Sequence, residues 1–104
     1  MAKARRQKMT AIIYDKRGRV LSIGKNSYEK SHTYQAKIAK SVGLEMKTQL
    51  HAEIAAILRL KYTDKPHKIF VSRIMQDGSY GLAKPCPVCS RAIELAGIEI
   101  VEHT

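Results

Sequence analysis

The sequence predicts one α/β domain, with helices packed on a mixed β-sheet in the order ββααβαβ. Three observations carry this expectation. The chain has 104 residues, 44% of them apolar, enough for one modest core and too few for a separate cofactor domain. Short runs of β-formers alternate with stretches whose apolar residues recur every three or four positions. Glycine and proline stand largely at the boundaries between these segments.

Residues 1–8, with Lys3, Arg5, Arg6 and Lys8, read as a basic N-terminal arm, and residues 9–104 as the folded domain. Met9 to Asp15 (MTAIIYD) and Val20 to Ile23 flank the turn KRGR, which contains Gly18, and together predict a hairpin. Gly24 closes the second strand and opens the polar loop GKNSYEKS. Ser31 can cap a helix running to about Val42, with Tyr34, Ile38 and Val42 on its apolar stripe and Gly43 at its end. A second helix is expected from Gln49 to Lys61, where Leu50, Ile54, Ile57 and Leu58 recur at helical spacing before Asp64 and Pro66 break it. KIFVSRI is the third strand. The stretch QDGSYGLAK, rich in turn residues, is either a lid or a hairpin excursion. Pro85 and Pro87 frame a third helix start, Gly97 supplies its C-terminal cap, and IEIVE is a last short strand.

Charge and cysteine usage narrow the function classes. Residues 1–48 hold 12 basic and 3 acidic side chains, residues 49–104 hold 7 and 6, and the whole chain carries +10. Such asymmetry favours an anionic partner met by the first half, a nucleotide phosphate or a nucleic-acid backbone. No apolar run approaches the ~18 residues of a membrane span, and no apolar signal region follows the basic start. Two cysteines three positions apart cannot frame a disulfide mini-protein. A reducing, cytoplasmic location without membrane association is expected.

Four residues stand out by type and spacing. Cys86 and Cys89 sit i,i+3 at a helix start, where the dipole favours thiolates. His51 and Glu53 open another helix. One imidazole and two thiolates make three ligands for tetrahedral zinc and leave a fourth position for water; a closed structural site would need His32, His67 or His103 in addition. Residues two apart do not share a face within a helix, so His51 and Glu53 can serve one site only if the helix N-terminus itself points at it. CxxC alone also occurs in redox pairs and half zinc knuckles. The joint pattern His51-Ala52-Glu53 followed by Pro85-Cys86-Pro87-Val88-Cys89 is far more specific, and it matches the H-x-E…P-C-x-x-C signature of zinc deaminases.

On these residues the chain resembles the cytidine and deoxycytidylate deaminase superfamily over Met9 to Glu102, and looks most like its short stand-alone members of the kind phages encode. The resemblance implies a three-layer fold, with His51, Cys86 and Cys89 binding one Zn²⁺ per chain and Glu53 shuttling protons without ligating. It further implies that Asn26 contacts the sugar or base and that Ala52 is the small residue whose backbone helps hold the pyrimidine. Lys25 and Lys30 flank the Asn26 loop and are the candidate cations for a substrate phosphate. The implied function is hydrolytic deamination of a cytosine nucleoside or nucleotide of cytidine, CMP or dCMP type, releasing ammonia. HAEI-x-A also resembles tRNA adenosine deaminases, so cytosine or adenine in single-stranded nucleic acid is the alternative substrate. A non-enzymatic basic nucleic-acid-binding module with structural zinc is a third reading, and it would make Glu53 incidental. The sequence departs from the family in having Lys84 before Pro85 and in lacking the usual fifth strand and last helix after Glu102. An uncovered sheet edge there leads to the expectation of a homo-oligomer.

Overall fold

The computed structural model describes residues 8–26, 38, 51–75 and 77–104. Its strands are β1 (Lys8–Tyr14), β2 (Val20–Lys25), β3 (Lys68–Ile74), β4 (Tyr80–Gly81) and β5 (Ile100–His103), and its helices α1 (Ala52–Leu58) and α2 (Pro87–Leu95). β1 and β2 form the expected antiparallel hairpin, pairing Thr10 with Lys25 and Ile12 with Ile23. Asp15 organises its turn: the carboxylate accepts the N–H groups of Arg17 and Arg19 and pairs with the Arg19 guanidinium at 2.8 Å. β1 also pairs antiparallel with β3, so the sheet order is β2-β1-β3-β4. β5 runs parallel to β3 over Lys68–Val71, while β4 occupies the same edge of β3 further along, at Arg73 and Ile74.

Two-residue alternation divides the sheet into unlike faces. Ala11, Ile13, Ser22, Gly24, Ile69 and Val71 point to one side and are buried, forming a core with Ala52 and Ala56 of α1 and Ile93 of α2. Both described helices lie on that side. Ile38, the described residue of the expected 31–42 helix, is helical and packs with Ile54, Val88, Cys89 and Ala92. The rest of that helix lies outside the described residues. No described helix covers the opposite face, and none is long and apolar enough to cross a membrane.

Several boundaries differ from expectation for local reasons. α1 begins at Ala52 with His51 as N-cap and ends at Arg59, while Gln49 and Leu50 lie outside the described residues. Its early end follows from Asp64, whose carboxylate takes the Lys61 N–H at 2.8 Å in a turn that competes with further helix. Of the expected 76–84 excursion, residues 77–84 are described and form the return of a hairpin: Met75 N–H donates to the Ser79 carbonyl at 2.8 Å, and the chain comes back as β4. β4 is therefore an addition to the expected order. Two residues are too short for any periodicity to announce. α2 and its cap match expectation, with Pro87 in the first turn and Gly97 at φ 76°. Gly97 N–H donates to the Glu94 carbonyl and Ile98 N–H to that of Ile93, a Schellman motif whose Ile98 and Ile93 meet in the core.

The tightest packing lies between β2 and α1. A Cβ on Gly24 would sit 2.3 Å from the Ala56 nitrogen and 2.4 Å from the Ala52 carbonyl oxygen. Ser22 Oγ donates to the Ala56 carbonyl at 2.8 Å, and Arg59 reaches back to the Ile23 carbonyl at 2.9 Å. Gly24→Ala must push α1 off the sheet and is expected to cost at least the ~1–3 kcal/mol typical of overpacking. Urea denaturation checks this, with Lys25→Ala as the neutral control.

Candidate metal centre

His51 and Cys86 occupy equivalent places, each the N-cap of a helix. Their backbones are extended (φ −86°, ψ 154° and φ −71°, ψ 168°), and their carbonyls accept the first intrahelical bonds, from Ala55 at 2.9 Å and Ser90 at 2.8 Å. An N-cap side chain ordinarily bonds an N–H of its own first turn. Neither does so here. Both turn away from their helices and meet: His51 Nδ1 lies 3.1 Å from Cys89 Sγ and 3.6 Å from Cys86 Sγ. All three donor atoms lie within 4.8 Å of one another. This is how residues two apart in sequence reach one site. His51 precedes α1 as its cap and Glu53 lies in the first turn, so the helix end, not a side face, points inward.

The positions of the two caps follow from the sheet. Gly24 and Ser22 seat α1 on β2, which places its N-terminus toward the Asn26 end of the sheet. The 82–85 segment delivers Cys86, held by the Arg73 guanidinium on the Leu82 carbonyl at 3.1 Å and by Ala83 N–H on the Thr104 carbonyl at 2.9 Å. Thr104 Oγ1 also donates to the Gly81 carbonyl at 2.6 Å and accepts the Arg73 N–H at 3.1 Å, tying β4 to β3. No local signal in the sequence marks Thr104 for this role. Gly24 had one: Ser22 and Gly24 are small residues two apart, on the face a helix must approach.

The electrostatics are those of a site short of positive charge. Cys89 hydrogen-bonds to Cys86, and this holds the Cys86 thiol down at about 3, reinforced by His51, while burial opposes the shift. Cys89 is pushed well above the ordinary thiol range by the same bond, by burial and by the neighbouring Glu53. The two thiols are thus set apart, Cys86 the readier to lose its proton and Cys89 the more reluctant. Glu53 is 2% exposed, and burial raises its carboxyl above the usual range despite its hydrogen bond to the Cys89 thiol. Among the described residues no lysine or arginine forms an ion pair with it.

A soft divalent cation fits this donor set. Tetrahedral zinc, with bonds of ~2.0–2.1 Å to nitrogen and ~2.3 Å to sulfur, separates the two kinds of ligand atom by about 3.6 Å. The observed 3.6 and 3.1 Å require an opening of well under an ångström. The set has three ligands, and neither His67 nor His103 belongs to the cluster. His32 lies outside the described residues.

The other expected site residues are placed as follows. Ala52 is fully buried beside His51. Asn26 follows β2, its Oδ1 accepting the Met9 N–H at 3.0 Å and its own N–H donating to the Met9 carbonyl at 3.2 Å, so its side chain is held where β2 ends and β1 begins. Lys25 is exposed, and pairing with Thr10 directs it to the sheet face opposite the helices. Lys30 lies outside the described residues.

The family model for the cytidine and deoxycytidylate deaminase zinc-binding region matches residues 1–103. No curated protein matches the chain.

The cluster predicts that His51→Ala, Cys86→Ser and Cys89→Ser each lower zinc affinity by more than the ~10–100-fold typical of outer-shell changes. Competition with a chromogenic chelator measures the loss. Wild-type affinity in all three variants would show that these side chains do not hold the metal.

Proposed function

The chain belongs to the cytidine and deoxycytidylate deaminase family, and from that premise we propose that it hydrolyses the amino group of a cytosine nucleoside or nucleotide, of cytidine, CMP or dCMP type, to give the uracil product and ammonia. The observation that carries the proposal is Glu53: a carboxyl 2% exposed, in the first turn after His51 and bonded to Cys89. A structural zinc module has no use for a buried acid at its metal cluster. A deaminase needs one, because water must lose a proton while the ring nitrogen and the departing amine gain them.

In this reading His51, Cys86 and Cys89 hold one zinc per chain, which supplies the Lewis acidity that makes water nucleophilic near neutral pH. Glu53 takes a proton from the attacking water and delivers it to the ring nitrogen beside the amine-bearing carbon. It then moves the second proton to the amine, which leaves as ammonia. Burial supports this work, since it raises the Glu53 carboxyl above its usual range and so favours its taking up a proton. Asn26 is assigned to the sugar, Ala52 to the space beside the pyrimidine, and Lys30 to a substrate phosphate. The exposed edge of β5, all four residues of which are solvent-facing, is the proposed contact of a homo-oligomer. Cytosine or adenine within single-stranded nucleic acid is the second reading, favoured by the +10 charge.

Glu53→Gln is expected to keep the fold and zinc and to lose turnover by at least ~10²–10⁴-fold, the range for a general acid–base group. Ammonia release from a panel of cytosine, cytidine, CMP, dCMP and a single-stranded oligonucleotide reads both the loss and the substrate. A zinc-loaded Glu53→Gln protein with more than about a tenth of wild-type rate would remove Glu53 from the mechanism.

A further inference from the structure

The sheet has a second face that the metal centre does not use. By register, Ile12 pairs with Phe70, Tyr14 with Lys68 and Ile74 with Tyr80, all directed away from α1 and α2. Phe70 is the only phenylalanine in the chain, and it belongs to neither core cluster. Tyr80 is 72% exposed. Tyr14 carries the Lys68 ammonium over its ring, 5.1 Å from the centroid. Three aromatic side chains on three strands, Tyr14 and Phe70 half-buried and Tyr80 exposed, thus follow a diagonal across a face that no described helix covers. With strands ~4.8 Å apart and ~6.6 Å per two residues, Tyr14 and Phe70 are separated by about 8 Å, and Phe70 and Tyr80 by about 14 Å. Those intervals are of the order of one and two nucleotides of extended single strand.

Cations outnumber acids on this face. Lys8, Lys25 and Lys68 lie on it, and its one outward acid on the described strands, Glu102, is paired with Lys68 at 3.2 Å. The basic tip of the hairpin, Lys16, Arg17 and Arg19, continues the line. We propose that this face docks single-stranded nucleic acid, its bases stacking on Tyr14, Phe70 and Tyr80 and its phosphates meeting the lysines. Aromatic platforms bordered by cations bind single strands in this way irrespective of sequence. A second copy of the chain is the poorer occupant, because it would bring another +10 against the same lysines. Docking here is separate from the deaminase reading and does not need Glu53.

Fluorescence anisotropy of a labelled oligothymidylate of about 15 nucleotides, at about 50 mM salt and upward, tests the proposal. Wild-type protein and Glu53→Gln should bind alike, with affinity falling as salt rises. Tyr80→Ala and Tyr14→Ala should each weaken binding about fivefold or more, while Tyr80→Phe and Tyr14→Phe keep it, because stacking needs the ring and not the hydroxyl. Lys8→Ala should lower the salt slope by about one. Tyr80 is exposed and outside the core, so its variants keep the test open if Tyr14→Ala fails to fold. Three results would overturn the proposal: no binding at low salt, binding that Tyr80→Ala leaves unchanged, or a sedimenting dimer that Tyr80→Ala dissociates without affecting the oligonucleotide.

Discussion

The contact on which the rest of this structure depends is the approach of α1 to β2 at Gly24, backbone against backbone. No side chain separates the strand from Ala52 and Ala56, and Ser22 fastens the helix by its hydroxyl at the same place. That approach sets the height of α1 above the sheet. Height matters because the helix contributes its end, not its side, to the site. A shift of an ångström would carry His51 and Glu53 away from Cys86 and Cys89, whose own positions are set independently through β4 and Thr104.

Two helices each give up the usual use of an N-cap to build this site. A capping side chain is worth about 1 kcal/mol to a helix, and here His51 and Cys86 turn toward each other instead. The result is two neighbouring thiols beside a buried carboxyl, a donor set that a cation would stabilise. Metal binding would then be linked to folding, since ligation would stabilise the folded chain in which the three donors already converge. Family membership and local physics agree on this point from different directions.

The two faces of the sheet show how a small chain divides its labour. Small residues such as Ala11, Ser22 and Gly24 face the helices and allow their close approach. Larger residues, Phe70 and Tyr14 among them, face outward with the lysines. Among the described residues of the first half, Lys16, Arg17 and Arg19 stand at the hairpin tip and Lys8 and Lys25 on the sheet face away from the helices, none of them in the metal cluster.

Much of this was legible in the sequence. The spacing of His51 and Glu53, of Cys86 and Cys89, and the placement of Pro87 and Gly97 pointed to the three donors that the fold brings together, to the helix ends and to the geometric condition that a helix end must face the cluster. These are local relations, carried by dihedral preference and by the 3.6-residue period, and they survive without knowledge of the rest of the chain. Tertiary structure alone decided that Lys25 lies on the sheet face away from the helices, that a two-residue strand borders β3, that Thr104 ties that strand down, and that Glu53 is buried beside Cys89. Each of those depends on which faces of distant segments meet and how closely, and residue spacing along the chain does not carry that distance.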